Sequence, residues 1–320
     1  IGQLTKMLDD VRKSTASNND ALLRAADRLS AEGKHKDAAK VYQQALDGTE
    51  FTIDCLGESV TTPEAAAAAA EQYRQIVDTL AGAGVGRNLS ITLTQLGLDI
   101  DRATCLDNLR RVLDPAGRHG CFVRIDMESS RYTSETLDLF ETLWQSGYRR
   151  VGVVLQACLR RSERDLGRIN ALGGSVRLVK GAYSEPRAIA YHRKTDVDAA
   201  FVRLMTSLFR HGTMPAIATH DEALLDQARR LAADLGVSRD RFEFQMLYGI
   251  RRDLQYHLRD AGYRVRVYVP FGKEWFPYFM RRLGERPVRR DRLSGLRHRF
   301  ADRDGVEAGR DPRVAGVEEP

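Results

Sequence analysis

Residues 151–183 read VGVVLQACLRRSERDLGRINALGGSVRLVKGAY. A β-branched run, Val151 to Leu155, gives way to a segment with helical periodicity, and a second β-branched run follows at Val176 to Val179. Two such strands joined through a helix form a parallel pair, because a parallel pair needs a long crossover. The same unit recurs on both sides. Short β-branched or apolar runs occur at Phe51 to Ile53, Leu89 to Leu93, Phe122 to Ile125, Pro215 to Ala218, Arg241 to Phe244 and Val265 to Val269. Between them lie helical segments such as TSETLDLFETLWQSG and DEALLDQARRLAADLG. Thr62-Pro63-Glu64 starts one of these helices with a capping hydroxyl, a first-turn proline and an acid near the positive end.

Eight strands alternating with helices, each short and apolar enough to be covered on both faces, predict an α/β chain folded as a (β/α)8 TIM-type barrel. An open doubly wound sheet is the rival architecture. It lacks support: no GxGxxG follows an early strand, and the glycines at 82, 84 and 86 come at a helix end. Residues 20–47 repeat apolar positions at three- and four-residue spacing with a break at Gly33, as two short helices would. The expected organisation is an N-terminal helical arm over 1–48, the barrel over 49–303 and a flexible tail over 304–320.

In a barrel the chemistry sits where strand ends feed the βα loops. The residues read at those ends are Asp54, Gln95, Asp126, Gln156, Lys180, Thr219 with His220, Gln245 and Tyr268. Any one of them could be an ordinary loop or capping side chain. As a set they would line one cavity.

Composition narrows the classes. The chain has 320 residues, 42% of them hydrophobic and 29% charged, and its longest apolar run is the six alanines Ala65 to Ala70. That is far short of the roughly 20 residues of a membrane-spanning helix. Cys55, Cys105, Cys121 and Cys158 are spaced for neither a zinc site nor a dense disulfide framework, which suits a reducing cytoplasm. The net charge of +6 equals the excess of nine arginines over three acids between Arg281 and Arg303. One local anion site or a basic tail fits this better than an extended face for nucleic acid.

Three motifs carry chemistry. In Arg281-Arg282-Leu283-Gly284-Glu285 the acid lies one helical turn from both arginines, which makes a clamp for a carboxylate or phosphate. The competing reading is a solvated basic helix end. In RLVKGAY, residues 177–183, alternation puts Arg177 and Lys180 on opposite faces, and Gly181 permits close backbone approach to a ligand. Such cations need anions, either on a cofactor or through an internal salt bridge to Asp126 or Glu128. In Ala218-Thr219-His220-Asp221 a strand-end histidine could cap, donate to a cofactor or act as a base. No HExxH, GxSxG or GK[ST] element supports a metal hydrolase, serine hydrolase or P-loop NTPase.

Several segments together resemble the proline dehydrogenase family, in its monofunctional, FAD-dependent form. They are LGESV at 56–60, LTQLGL at 93–98, RIDME at 124–128, VVLQA at 153–157, RLVKGAY at 177–183, ATH at 218–220, EFQMLYGI at 243–250 and VRVYVPFGKEWFPYFMRRLGERP at 265–287. The resemblance implies oxidation of L-proline, or a closely related cyclic imino acid, to the cyclic imine, with hydride passing to flavin N5. It places Arg281 and Arg282 on the substrate carboxylate with Glu285 orienting them, Tyr268 on the substrate ring, and Arg177 with Asp126 by the flavin. Lys180, Gly181, Ala182, Thr219 and His220 would hold the FAD phosphates and ribityl chain, and Met127 and Gln156 would contact the isoalloxazine. The implied partners are the imino acid and a quinone acceptor, with a cytoplasmic location, peripheral contact at the inner face of the membrane and no nucleic acid.

One departure bears on substrate choice. The family's second strand usually carries a lysine, as in VSVKLSQLG, that pairs with the substrate carboxylate. Here residues 89–97 are LSITLTQLG and Thr92 takes that place. Losing one charged hydrogen bond of about 1.5–3 kcal/mol weakens carboxylate binding on the order of tenfold to a hundredfold. The alternative reading is therefore a catalytically altered barrel that binds or oxidises a different imino acid, pipecolate- or piperazate-like. Smaller departures are Ser184, where bifunctional members have tryptophan, and Asp221, where asparagine is common.

Overall fold

The structure is a computed structural model that describes residues 49–83 and 87–271. The arm expected over 1–48, the tail expected over 304–320, and Arg281, Arg282 and Glu285 lie outside the described residues.

Eight parallel strands close into a barrel in chain order. They are β1 (Glu50–Cys55), β2 (Asn88–Ile91), β3 (Phe122–Ile125), β4 (Val151–Gln156), β5 (Ser175–Val179), β6 (Ala216–Ala218), β7 (Glu243–Leu247) and β8 (Val265–Phe271). A helix follows each of the first seven: α1 (Pro63–Ala83), α2 (Arg102–Arg118), α3 (Ser130–Gln145), α4 (Ser162–Leu172), α5 (Lys194–His211), α6 (Glu222–Asp234) and α7 (Arg252–Asp260). The first strand closes on the last through an unbroken register from Glu50 opposite Arg266 to Cys55 opposite Phe271. Among the described residues no helix is long and apolar enough to cross a membrane.

Local signals set the helix ends. The Ala65 N–H donates to Thr62 Oγ1 at 3.3 Å, and the Thr104 N–H donates to Asp101 Oδ1 at 2.8 Å. Each satisfies a donor that the first helical turn leaves unpaired. Gly173, at φ 76°, ends α4 in the left-handed conformation.

The two faces of the sheet differ in kind. Outward residues such as Phe51, Leu89, Ile91, Val123, Val153, Leu178, Phe244 and Val267 are fully buried beneath the helices. The lumen is polar, although barrel interiors are commonly filled by Val, Ile and Leu. Arg177 of β5 reaches Ser90 of β2 at 3.0 Å, Asp126 just beyond β3 at 2.5 Å and Gln245 of β7 at 2.5 Å. Lower down, Arg266 donates to Glu243 at 2.9 Å and pairs with Glu50. Arg124 donates to the Ser175 carbonyl at 2.7 Å, passing over Gly152, where a Cβ would stand 2.5 Å from its Nη1.

Two strands depart from expectation, each for a local reason. β7 spans Glu243–Leu247, not Arg241 to Phe244, because Glu243 and Gln245 interrupt its apolar run while still alternating with Phe244 and Met246. β2 ends at Ile91, not Leu93, because the Leu93 carbonyl accepts from Leu96 and Leu98 N–H at 3.0 and 3.1 Å and turns the chain away from the ladder. Gln245 and Tyr268 accordingly sit within strands, and Gln95 lies in the turn after β2.

Candidate active site

At the C-terminal end of the lumen, β1, β2, β3, β5, β7 and β8 bring Asp54, Ser90, Asp126, Arg177, Gln245 and Tyr268 into one hydrogen-bonded cluster. Asp126 Oδ1 receives the Arg177 guanidinium at 2.5 Å. The Tyr268 hydroxyl lies 2.5 Å from Asp54 Oδ2 and 3.2 Å from Asp126 Oδ2, and its ring centroid is 5.4 Å from the Arg177 guanidinium carbon. Gln245 is oriented from below: its Nε2 donates to Glu243, so its Oε1 faces Arg177 Nε. Of the two anion sources considered for Arg177, the structure supplies the internal one, Asp126.

Burial dominates the carboxyls. It pushes Asp54 up to about 7, with the Asp126 charge adding to it and Tyr268 and Arg177 opposing. Burial also raises Asp126, against the pull of Arg177. Glu128 is pushed up to about 7 by burial, although it accepts from the Thr94 hydroxyl at 2.6 Å and the Thr94 N–H at 3.1 Å. In this way Glu128 anchors the turn that follows Thr92. Thr92 is half-buried directly beyond β2.

The residues expected around the cofactor line the β3, β4, β5 and β6 ends. Met127 is buried, and Gln156 Nε2 donates to the Glu128 carbonyl at 2.7 Å. Gly181, at φ +107°, is packed closely on the side a side chain would occupy, where a Cβ would meet Cys158 Sγ at 2.3 Å and Gln156 Oε1 at 3.2 Å. Ala182 is exposed. Lys180 pairs with Asp198 at 2.6 Å and Asp221 at 2.8 Å, so its charge is already met within the protein. Asp221 caps α6 by accepting from the Ala223 N–H, and it also receives Lys194 at 3.0 Å. An asparagine there would keep the cap and lose the charge. His220 Nε2 accepts the Leu247 N–H at 2.9 Å, and Thr219 Oγ1 accepts from the Asp221 N–H at 3.1 Å.

Sequence reading placed Asp54 and Gln245 only among the strand ends and did not assign Ser90, Glu243, Arg266 or Asp198 at all. Glu243 and Gln245 had a detectable signal, two polar residues spaced by two in an otherwise apolar strand.

The family model described as proline dehydrogenase matches residues 36–291. The chain belongs to the proline dehydrogenase family. It is 41% identical to proline dehydrogenase 2 of Bacillus subtilis over 247 residues, covering 77% of this chain and 81% of that protein. It is 40% identical to the proline dehydrogenase of Deinococcus radiodurans over 268 residues, covering 82% and 86%. Among solved structures it resembles proline utilization A from Bdellovibrio bacteriovorus inactivated by N-propargylglycine, with a TM-score of 0.72 and 27% identity. That match covers 84% of this chain and 33% of the other, so the chain spans about a third of that larger protein.

Proposed function

We propose that this proline dehydrogenase family member oxidises L-proline, or a closely related cyclic imino acid, to the cyclic imine with FAD as its cofactor. The observation that carries the reading is the Asp126, Arg177 and Tyr268 cluster at the barrel mouth, with a cation, an aromatic face and acceptors converging on one space. A flavin fits what stands around it. Arg177 offers guanidinium donors, the exposed Gly181 permits close approach to its backbone, and Met127 and Gln156 supply a mixed apolar and polar wall. When bound, FAD supplies the acceptor for the hydride, at N5.

The chain's own residues bind and orient. Tyr268 presents its ring to the substrate ring, and by the resemblance of the sequence Arg281, Arg282 and Glu285 supply the carboxylate clamp. Arg177, held in the lumen by Asp126, Ser90 and Gln245, presents fixed positive charge to the electron-accepting ring. Lys180, Gly181, Ala182, Thr219 and His220 hold the rest of the cofactor, with Gly181 giving backbone access and Lys180 acting as part of a neutral ion cluster. Electrons then leave to a quinone, with the protein at the inner face of the membrane.

Thr92 favours a second reading in which the preferred substrate is pipecolate- or piperazate-like, since the usual carboxylate-pairing lysine is replaced by a hydroxyl. Anaerobic bleaching of the flavin, compared among L-proline, hydroxyproline, pipecolate and piperazate, separates the two. Fastest bleaching by L-proline supports the first, faster bleaching by a six-membered ring supports the second, and no flavin uptake on FAD reconstitution refutes both.

A further inference from the structure

Three oxygens stand in a row at the barrel mouth: Asp54 Oδ2, the Tyr268 hydroxyl and Asp126 Oδ2. The hydroxyl is 2.5 Å from the first and 3.2 Å from the last. Two contacts between three oxygens need two hydrogens, and a phenol supplies one. With both contacts hydrogen-bonded, the other belongs to a carboxyl. Asp126 is the poorer holder, because its Oδ1 takes the Arg177 guanidinium at 2.5 Å and a proton there would leave that cation unmatched. Asp54 lies on the far side of the phenol and makes no ion pair among the described residues. Its second oxygen, Oδ1, is buried with no hydrogen-bond partner. A neutral carbonyl oxygen tolerates that isolation far better than half of a carboxylate does.

We propose that Asp54 is a positioning residue that holds a proton in the resting protein and donates it to the Tyr268 oxygen, so that Tyr268 donates in turn to Asp126. The groups facing Asp54 are consistent with this arrangement. Asp126 from just beyond β3 and Glu58 from the β1–α1 loop are acids, while Cys55 and Tyr73, from β1 and α1, are kept neutral by burial. Arg177 from β5 is the cation among them, and Asp126 already holds it. One guanidinium between two buried carboxyls leaves one of them protonated. The consequence is directional: the phenol points its hydrogen at Asp126, and the ring stays fixed against Arg177. When Asp54 ionises, the phenol turns its hydrogen to Asp54 and Asp126 loses a donor.

The proton assignment stands on the geometry, whereas its effect on turnover rests on the reading of the site as an imino-acid dehydrogenase. Infrared spectroscopy of the full chain tests the assignment without substrate. With Glu128→Gln as the background, which removes the other carboxyl raised to about 7, a protonated-carboxyl carbonyl band is expected at neutral pH, disappearing on mild alkalinisation and absent once Asp54→Asn is added. If that band is missing in Glu128→Gln, or persists when Asp54→Asn is added, the assignment is overturned. The positioning role is read from kcat/KM for L-proline against pH. Asp54→Asn, whose amide keeps a donor to the phenol at every pH, flattens the profile across neutrality, whereas Asp54→Ala lowers kcat/KM by about three- to tenfold. A pH profile that Asn leaves as steep as the parent's overturns the positioning role. A present band with no flavin bleaching by any imino acid instead overturns the dehydrogenase reading and leaves the proton where the geometry puts it.

Discussion

Gly181→Ala tests whether the loop after β5 is shaped as described. At φ +107° the backbone lies in a region that side-chain-bearing residues avoid, at a cost of about 1–3 kcal/mol. The added Cβ would stand 2.3 Å from Cys158 Sγ, where non-bonded heavy atoms settle at about 3.5–4 Å. Cys158 cannot step aside freely. It is buried and its N–H donates to the Lys180 carbonyl at 2.8 Å, which ties it to the same loop. Relieving such an overlap costs a further ~1–3 kcal/mol, so Gly181→Ala should destabilise by about 2–6 kcal/mol. The two contributions separate in a double-mutant cycle. Cys158→Ala removes the sulfur, and in that background Gly181→Ala should cost less by about 1–3 kcal/mol, with the backbone strain remaining. Denaturant titration of the four proteins reads the cycle, and flavin retained after gel filtration reads the loop's effect on cofactor binding. If Gly181→Ala stays within roughly 0.5 kcal/mol of the parent, or removing the sulfur recovers nothing, the loop does not follow this path.

Glu243→Leu leaves Arg266 paired only with the half-exposed Glu50 and releases Gln245 from its fixed orientation, so stability should fall by about 3–5 kcal/mol. Glu243→Leu with Arg266→Met should recover most of that loss in denaturant titration. Thr92→Lys puts back the cation that the family's second strand usually carries and should lower KM for L-proline by about tenfold or more, read in steady-state assays against a quinone; a raised KM would place the carboxylate elsewhere. Stability should peak at mildly acid pH. Glu243, Asp198 and Asp221 are held below their ordinary range, Glu243 by Arg266 and the other two by Lys180 and Lys194, all against the opposing effect of burial. Their contribution is present above about pH 4 and is lost as pH falls. Asp54 and Glu128, raised to about 7, bind protons more tightly when folded, so stability declines as pH rises from about 4 to about 7. Glu128→Gln should make that neutral limb shallower in unfolding curves recorded across pH.

The barrel was legible because the outward face of each strand obeys a simple rule. Residues such as Val151, Val153 and Leu155 are apolar at alternate positions, and they mark the strand wherever the inward positions do not interrupt them. Where they do, as at Glu243 and Gln245, the boundary moved while the strand survived. The helix start at Thr62 was readable because caps act within three residues, whereas the turn at Leu93 depends on carbonyl pairing that residue types do not encode. The site is different in kind. Arg177 and Lys180 look alike on paper, two cations ending one strand, yet one is matched by Asp126, 51 positions away, and the other by Asp198 and Asp221. Asp54 looks like any strand-end acid until Tyr268, 214 positions on, is found between it and a second carboxyl. Local pattern can say that polar atoms gather at the mouth, but a role depends on how many hydrogens and charges remain once neighbours are matched. That count needs distances. At this mouth it leaves Lys180 neutralised, Arg177 committed to Asp126, and one proton over, which only Asp54 can hold without unpairing a buried cation.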